Sequence, residues 1–167
     1  MPERDGTRGA VKRFLILFAA VANLVLADAI TKELAAGYLK GSAADSVIPS
    51  VFNLAYVENR GCAWGMFQGQ VWPLAVFGLI ALSFLIWKRR SVFGSGRLPA
   101  IAEPLLYAGI IGNVIDRLFR GFVIDMFDFH WGVHHFPCFN VADSLICISV
   151  GLLLLASLFE GRKNQAK

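Results

Sequence analysis

Four long apolar runs in a chain of 167 residues leave little choice of solvent. Residues 14–34, 71–87, 98–115 and 141–159 each approach the ~20 mostly apolar residues that a helix needs to cross a bilayer. The first is broken by Asn23 and Asp28, the third carries Glu103 and Asn113, and the fourth has Asp143 in its first turn. The chain is 56% hydrophobic and only 17% charged, against ~25% charged in an ordinary soluble domain. A soluble domain of this length could not hide so much apolar surface from water. In lipid every backbone polar group must be paired within the protein, which favours helices. The expectation is an all-α membrane protein, one integral membrane domain over residues 1–167, with four transmembrane helices.

The first run leads into Leu26-Ala27-Asp28-Ala29-Ile30-Thr31-Lys32, which reads as a retained helix end and not as a cleaved export signal. Basic residues set the orientation. Arg4, Arg8, Lys12 and Arg13 precede the first run; Lys88, Arg89, Arg90 and Arg97 lie between the second and third; Arg162, Lys163 and Lys167 follow the fourth. Eleven of the sixteen basic residues therefore fall on one side, which the positive-inside rule assigns to the cytoplasm, with both termini. These anchors account for the net charge of +4, so no nucleic-acid partner is implied.

Two outward segments remain, about residues 37–70 and 116–140. Ser50 to Val57 alternates imperfectly and is rich in β-branched and aromatic residues, so it reads as a short strand; Gly121 to Phe129 has the same character. Here lie the residues that chemistry would use. Asp125 sits within Phe122-Val123-Ile124-Asp125-Met126-Phe127, and an acid in such surroundings is a functional candidate by default. Asn140 fits the N-cap of the fourth helix, which puts Asp143 in the first turn, where the helix dipole favours its charge. Taken singly, Asp143 is as well explained by capping as by catalysis. Asp116-Arg117 taken alone reads as an interfacial anchor, and Asn113, one turn earlier, is expected to bond loop backbone at that depth. Asp128, one acid in a loop, reads as solvated. Were Asp125 to meet Asp143, their repulsion would raise one pKa and leave the other low. One carboxylate could then deprotonate water while its protonated partner polarises a carbonyl and later protonates the leaving amine. No metal, cofactor or side-chain nucleophile is required.

At these residues the chain resembles the lipoprotein signal peptidases, also called signal peptidase II. The resemblance extends from Asp28 to Phe159 and rests on five motifs in order: Asp28-Ala29-Ile30-Thr31-Lys32, Asn59-Arg60-Gly61-Cys62-Ala63-Trp64-Gly65, Gly112-Asn113-Val114-Ile115-Asp116-Arg117, Val123-Ile124-Asp125-Met126-Phe127-Asp128-Phe129, and Phe139-Asn140-Val141-Ala142-Asp143-Ser144. It implies a four-helix membrane bundle with a small extracytoplasmic sheet, placed in the bacterial inner membrane with its site near the outer face. The implied activity is an aspartic endopeptidase that removes the signal peptide of prolipoproteins before a diacylglyceryl-modified cysteine. The resemblance makes Asp125 and Asp143 the catalytic pair. It makes Asn59, Asn113, Arg117 and Asn140 residues that orient the substrate backbone or the pair, and Asp28, Lys32 and Asp116 supports of the surroundings. Asp28 and Lys32, four apart, could pair on one helix face. Partners are then prolipoprotein substrates and membrane lipids, with the enzyme a monomer. Cys62 and Trp64 depart from the small apolar residue and the Phe commoner in the family.

Two other readings stay open on the residues alone. Buried acids could serve a proton-coupled transporter, although they cluster at one end and no internal repeat is evident. His130, His134, His135 and Cys138 could serve a zinc-dependent hydrolase, although their spacing matches no closed site and such residues often form an interfacial belt. No role is transferred to Trp131 to Cys138. Cys147 reads as a small hydrophobe within a span, and whether Cys62 pairs with Cys138 cannot be read from sequence.

Overall fold

A computed structural model describes residues 3–165 of the chain. In chain order, helix α1 (Glu3–Tyr38) leads to strands β1 (Asp45–Ile48) and β2 (Phe52–Asn59), then a 3-10 turn over Ala63–Gly65. Helices α2 (Val71–Trp87), α3 (Arg89–Phe93) and α4 (Arg97–Phe119) follow, then strands β3 (Val123–Trp131) and β4 (His134–His135), and helix α5 (Val141–Gln165). The chain is thus mostly helical with a small antiparallel sheet, as expected. Among the described residues three helices are long and apolar enough to cross a membrane, over Arg8–Tyr38, Arg97–Phe119 and Val141–Phe159. The expected second span is instead an apolar helix of 17 residues, about 26 Å long at 1.5 Å per residue, against a hydrocarbon core of about 30 Å. Of the basic residues that set the orientation, Lys167 and the side chains of Arg4, Arg162 and Lys163 lie outside the described residues.

Helix α4 is the centre of the bundle, packed against α1, α2 and α5. Two of its glycines make this possible. A Cβ on Gly109 would lie 2.5 Å from the carbonyl oxygen of Ala142, and one on Gly112 would lie 2.5 Å from Asp28 Oδ2. Small residues let membrane helices approach closely, and here they admit α5 and a polar side chain of α1 to the surface of α4. Around this core Phe14, Phe18, Phe77, Ile80, Leu154 and Leu158 are exposed, as residues facing lipid should be.

The sheet has strand order β1-β2-β3-β4. In the β2–β3 ladder Val57 lies opposite Asp125 and Asn59 opposite Val123, with an irregularity between Leu54 and Val57. Buried Ile124 and Met126 pack on Ala35 and Leu39 at the end of α1, fastening the sheet to the bundle. Each such side chain contributes about 1.5–3 kcal/mol when fully buried. The segment entering α5 then runs beside β3: the Phe139 carbonyl accepts from the N–H groups of Met126 and Phe127 at 3.0 and 2.9 Å. That pairing delivers Asn140 and the start of α5 to Asp125.

Candidate active site

The first turn of α5 is a reciprocal cap. Asn140 Oδ1 accepts from the Asp143 N–H at 3.0 Å, and Asp143 Oδ2 accepts from the Asn140 N–H at 3.2 Å. This is the geometry of a capping box with Asp in the place usually held by Glu or Gln. It leaves Asp143 Oδ1 free of capping, and that oxygen accepts from Asn113 Nδ2 at 2.7 Å. Capping and a place in the site are therefore not alternatives for Asp143.

Asp125, only 2% exposed, is held in a matching way. Its Oδ1 accepts from Asn140 Nδ2 at 2.7 Å and its Oδ2 from Asn59 Nδ2 at 2.9 Å. Asn59 is itself fixed, because its Oδ1 accepts from the Gly61 N–H at 2.9 Å. Burial, followed by the neighbouring charge of Asp143, pushes the Asp125 carboxyl up to about 7. The two carboxyl groups share a cavity of about 480 Å³, whose wall also includes Asn59, Asn113, Arg117 and Phe136.

Behind the pair stands a buried ionic knot. Lys32, 1% exposed, places Nζ 2.7 Å from Asp28 Oδ2, 2.9 Å from Asp116 Oδ2 and 3.3 Å from Asn113 Oδ1. An ammonium has three N–H donors and no acceptor, so these three oxygens satisfy it. The acids use their remaining capacity on backbone. Asp28 Oδ1 accepts from the Ala142 N–H at 2.8 Å, an otherwise unpaired donor at the start of α5. Asp116 Oδ2 accepts from the Ile124 N–H at 3.4 Å, and its Oδ1 from Arg120 Nε at 2.9 Å. One lysine thereby ties α1 to α4, to the start of α5 and to the strand residue adjoining Asp125.

All nine residues singled out in the sequence lie in this one assembly. The local partners of one of them, Asn113, and of Asp128 differ from expectation. Asn113 does not bond loop backbone through its side chain: its Oδ1 accepts from Lys32 and from Asn140 Nδ2 (3.2 Å), while its Nδ2 donates to Asp143. The loop is held instead by Arg117, which donates to the Gly61 carbonyl at 2.9 Å and to its own helix at Asn113 O at 3.3 Å. Asp128 is not merely solvated; it accepts from Asn53 at 3.0 Å and bonds His135 Nδ1 at 2.7 Å.

The segment given no role supplies part of the wall. Phe136, Pro137 and Cys138 line the cavity, and Trp64 meets Phe136 edge-on at 5.7 Å between ring centroids. The available signal was the apolar character of Phe136-Pro137-Cys138 directly before the Phe139-Asn140 motif. His130 stacks on His135 at 4.9 Å, outside this cavity wall. Cys62, Cys138 and Cys147 are free thiols.

The fold and site define an enzyme embedded in a membrane. The chain covers 91% of its length against a solved bacterial membrane enzyme structure, at a TM-score of 0.73 and 32% identity, and spans 93% of that chain. Residues 20–159 match the family model described as signal peptidase (SPase) II, and the chain belongs to that family of membrane peptidases. The lipoprotein signal peptidase of Syntrophotalea carbinolica is 40% identical over 157 residues, covering 92% of this chain and 96% of the relative. That of Clostridium acetobutylicum is 38% identical over 142 residues, covering 84% and 90%.

Proposed function

We propose that this peptidase uses Asp125 and Asp143 as a proton-sharing pair to cleave prolipoproteins before a diacylglyceryl-modified cysteine. The observation that carries the reading is the shared amide frame: Asn140 donates to Asp125 through its side chain and to Asp143 through its backbone. A frame that fixes two acids against each other makes sense when both must face one reacting group.

In the proposed reaction Asp125 holds the shared proton, in keeping with its raised pKa. Asp143 takes a proton from a water as the water oxygen attacks the scissile carbonyl carbon. Asp125 donates a hydrogen bond to the carbonyl oxygen, where negative charge develops. When the tetrahedral intermediate collapses, the C–N bond breaks and the amine nitrogen receives a proton from the pair. The dyad ends with one proton, as it began, and titrates as a unit.

Four crossings fit this reading, with α2 as the shortest and Trp72 and Trp87 as interfacial anchors at its two ends. Both termini face the cytoplasm of a bacterial inner membrane, and the sheet and site stand at the outer face, where exported prolipoproteins arrive. The apolar part of the cavity wall, including Ile146 and Ile148, faces the acyl chains of the substrate. The enzyme works as a monomer, because both acids and their amide frame come from one chain.

The test is a matched pair of synthetic prolipoprotein peptides in detergent, one diacylglyceryl-modified and one with a free cysteine thiol. The modified peptide is cleaved before its cysteine and the other is not. Equal cleavage of both, or cleavage at another bond, would refute the substrate assignment.

A further inference from the structure

A large cavity lies away from the acids. It encloses about 930 Å³ between the early turns of α1, the end of α2, the short helix α3 and the first half of α4. Glu103 in its wall precedes Asn113 by ten residues on α4, or about 15 Å at 1.5 Å per residue. The cavity therefore opens toward the end of the bundle away from the site, its inner wall reaching Ile111 on α4, and it takes no part in the chemistry described above.

Its lining has two characters. Arg13, Arg89 and Arg90 bring three guanidinium groups to it, and Glu103 is its acid. Glu103 is already engaged by Arg89 through both oxygens. Among the described residues Arg13 and Arg90 form no ion pair, so the lining keeps a positive excess. The rest is apolar, with Leu17, Val21, Leu82 and Ile111 on the inside, and with Phe14 and Phe18 exposed along the outer wall.

Tyr107 lines the same cavity beside Glu103 and is 6% exposed, its ring fixed edge-on against Phe93 with centroids 5.5 Å apart.

We propose that this cavity binds one anionic glycerophospholipid, its phosphate held by Arg13 and Arg90 and one acyl chain along Leu17, Val21 and Leu82. Guanidinium forks match phosphate oxygens, and basic pockets between helices at the headgroup level are suited to anionic lipids. A soluble anion would leave most of this lining unsatisfied, because it is apolar. The side of the bundle carrying Phe14 and Phe18 opens toward lipid, which gives the second chain a path out.

The experiment uses the full chain in neutral detergent micelles. Phosphatidylglycerol, phosphatidylcholine and glycerol phosphate are added in turn, with thermal unfolding and lipid retention by native mass spectrometry as readouts. Phosphatidylglycerol should stabilise saturably and be retained one per chain; the other two should not. The double variant Arg13→Gln/Arg90→Gln should weaken apparent lipid binding about 10-fold or more, as loss of charged hydrogen bonds implies. Arg8→Gln/Lys12→Gln, on the adjoining face of α1, should leave retention unchanged. The arginine double variant should cleave peptide in micelles as the parent does, which shows it folded. Equal retention of phosphatidylcholine, an equal shift from glycerol phosphate, or equal sensitivity in the Arg8/Lys12 variant would overturn the site.

Discussion

The side-chain amide of Asn140 donates to Asp125 at 2.7 Å while the same residue caps Asp143, so one asparagine sets the relation between the two acids. Asn140→Ala should therefore lower kcat by about 100-fold with KM little changed, the pattern expected when transition-state geometry is lost and ground-state binding is kept. The protein should also lose about 1–3 kcal/mol of stability, since the variant leaves buried polar groups unpaired. A KM effect larger than the kcat effect, measured on the lipid-modified peptide, would place Asn140 in substrate binding instead.

Lys32 is the cation that bonds Asp28, Asp116 and Asn113 to one another. Removing one member of a buried ionic cluster leaves uncompensated charge and costs about 3–5 kcal/mol. Lys32→Met should show that loss in thermal unfolding, together with a large loss of turnover. Full activity in a destabilised protein would show that the knot supports the fold alone.

Gly112 offers a steric test of the same knot. An alanine methyl there would meet Asp28 Oδ2 at 2.5 Å, forcing that carboxylate off Lys32 and off the Ala142 N–H. Gly112→Ala should destabilise by about 1–3 kcal/mol, as overpacking does, and should depress kcat. Gly151→Ala, with open space at its Cβ, is the control and should behave as the parent.

The raised pKa of Asp125 has a direction in pH. The folded value of about 7 lies above the ordinary 3.8, so between them the folded protein binds more protons than the unfolded chain. This contribution to stability is fully present below 3.8 and is lost as pH rises through 7. The stability difference between Asp125→Asn and the parent should accordingly widen in favour of the variant from pH 4 to pH 7. Parent kcat/KM should fall above about pH 7 as the shared proton leaves.

Asp128 separates position from proximity. It is on the same strand as Asp125 but is engaged by Asn53 and His135. Asp128→Asn should keep peptide cleavage within about three-fold of the parent, far smaller than the effect of a lost catalytic acid. A loss of 100-fold or more would show that the division of roles between these acids is wrong.

The sequence made the long helices legible because lipid demands length and apolarity together, and it made the acids legible because each is expensive in apolar surroundings. It placed β2 and β3 from their β-branched and aromatic residues, close to where they lie. Strands β1 and β4 were not foreseen: four and two residues are too few for a pattern. Helix α2 shows a different limit, since its composition satisfies a membrane span while its 17 residues only reach the lower bound of one. The partners of Asn113 were also hidden. Sequence spacing says which residues share a turn, but Lys32, Asn113 and Asn140 come from three helices or their caps and meet only in the folded bundle. Glu103 looked like an obstacle within its span, and its engagement by Arg89 explains how it is tolerated there.

The central claim is that Asp125 and Asp143 both act on the reacting groups. The direct measurement is single-turnover cleavage of a diacylglyceryl-modified prolipoprotein peptide by Asp125→Asn and by Asp143→Asn, each with its thermal unfolding recorded. Asp125→Asn is isosteric and should remain folded, and Asp143→Asn keeps an acceptor for the Asn140 N–H. Each should lower the cleavage rate by at least about 1,000-fold, as loss of a group central to the chemistry does. Near-parental turnover in either folded variant would contradict it.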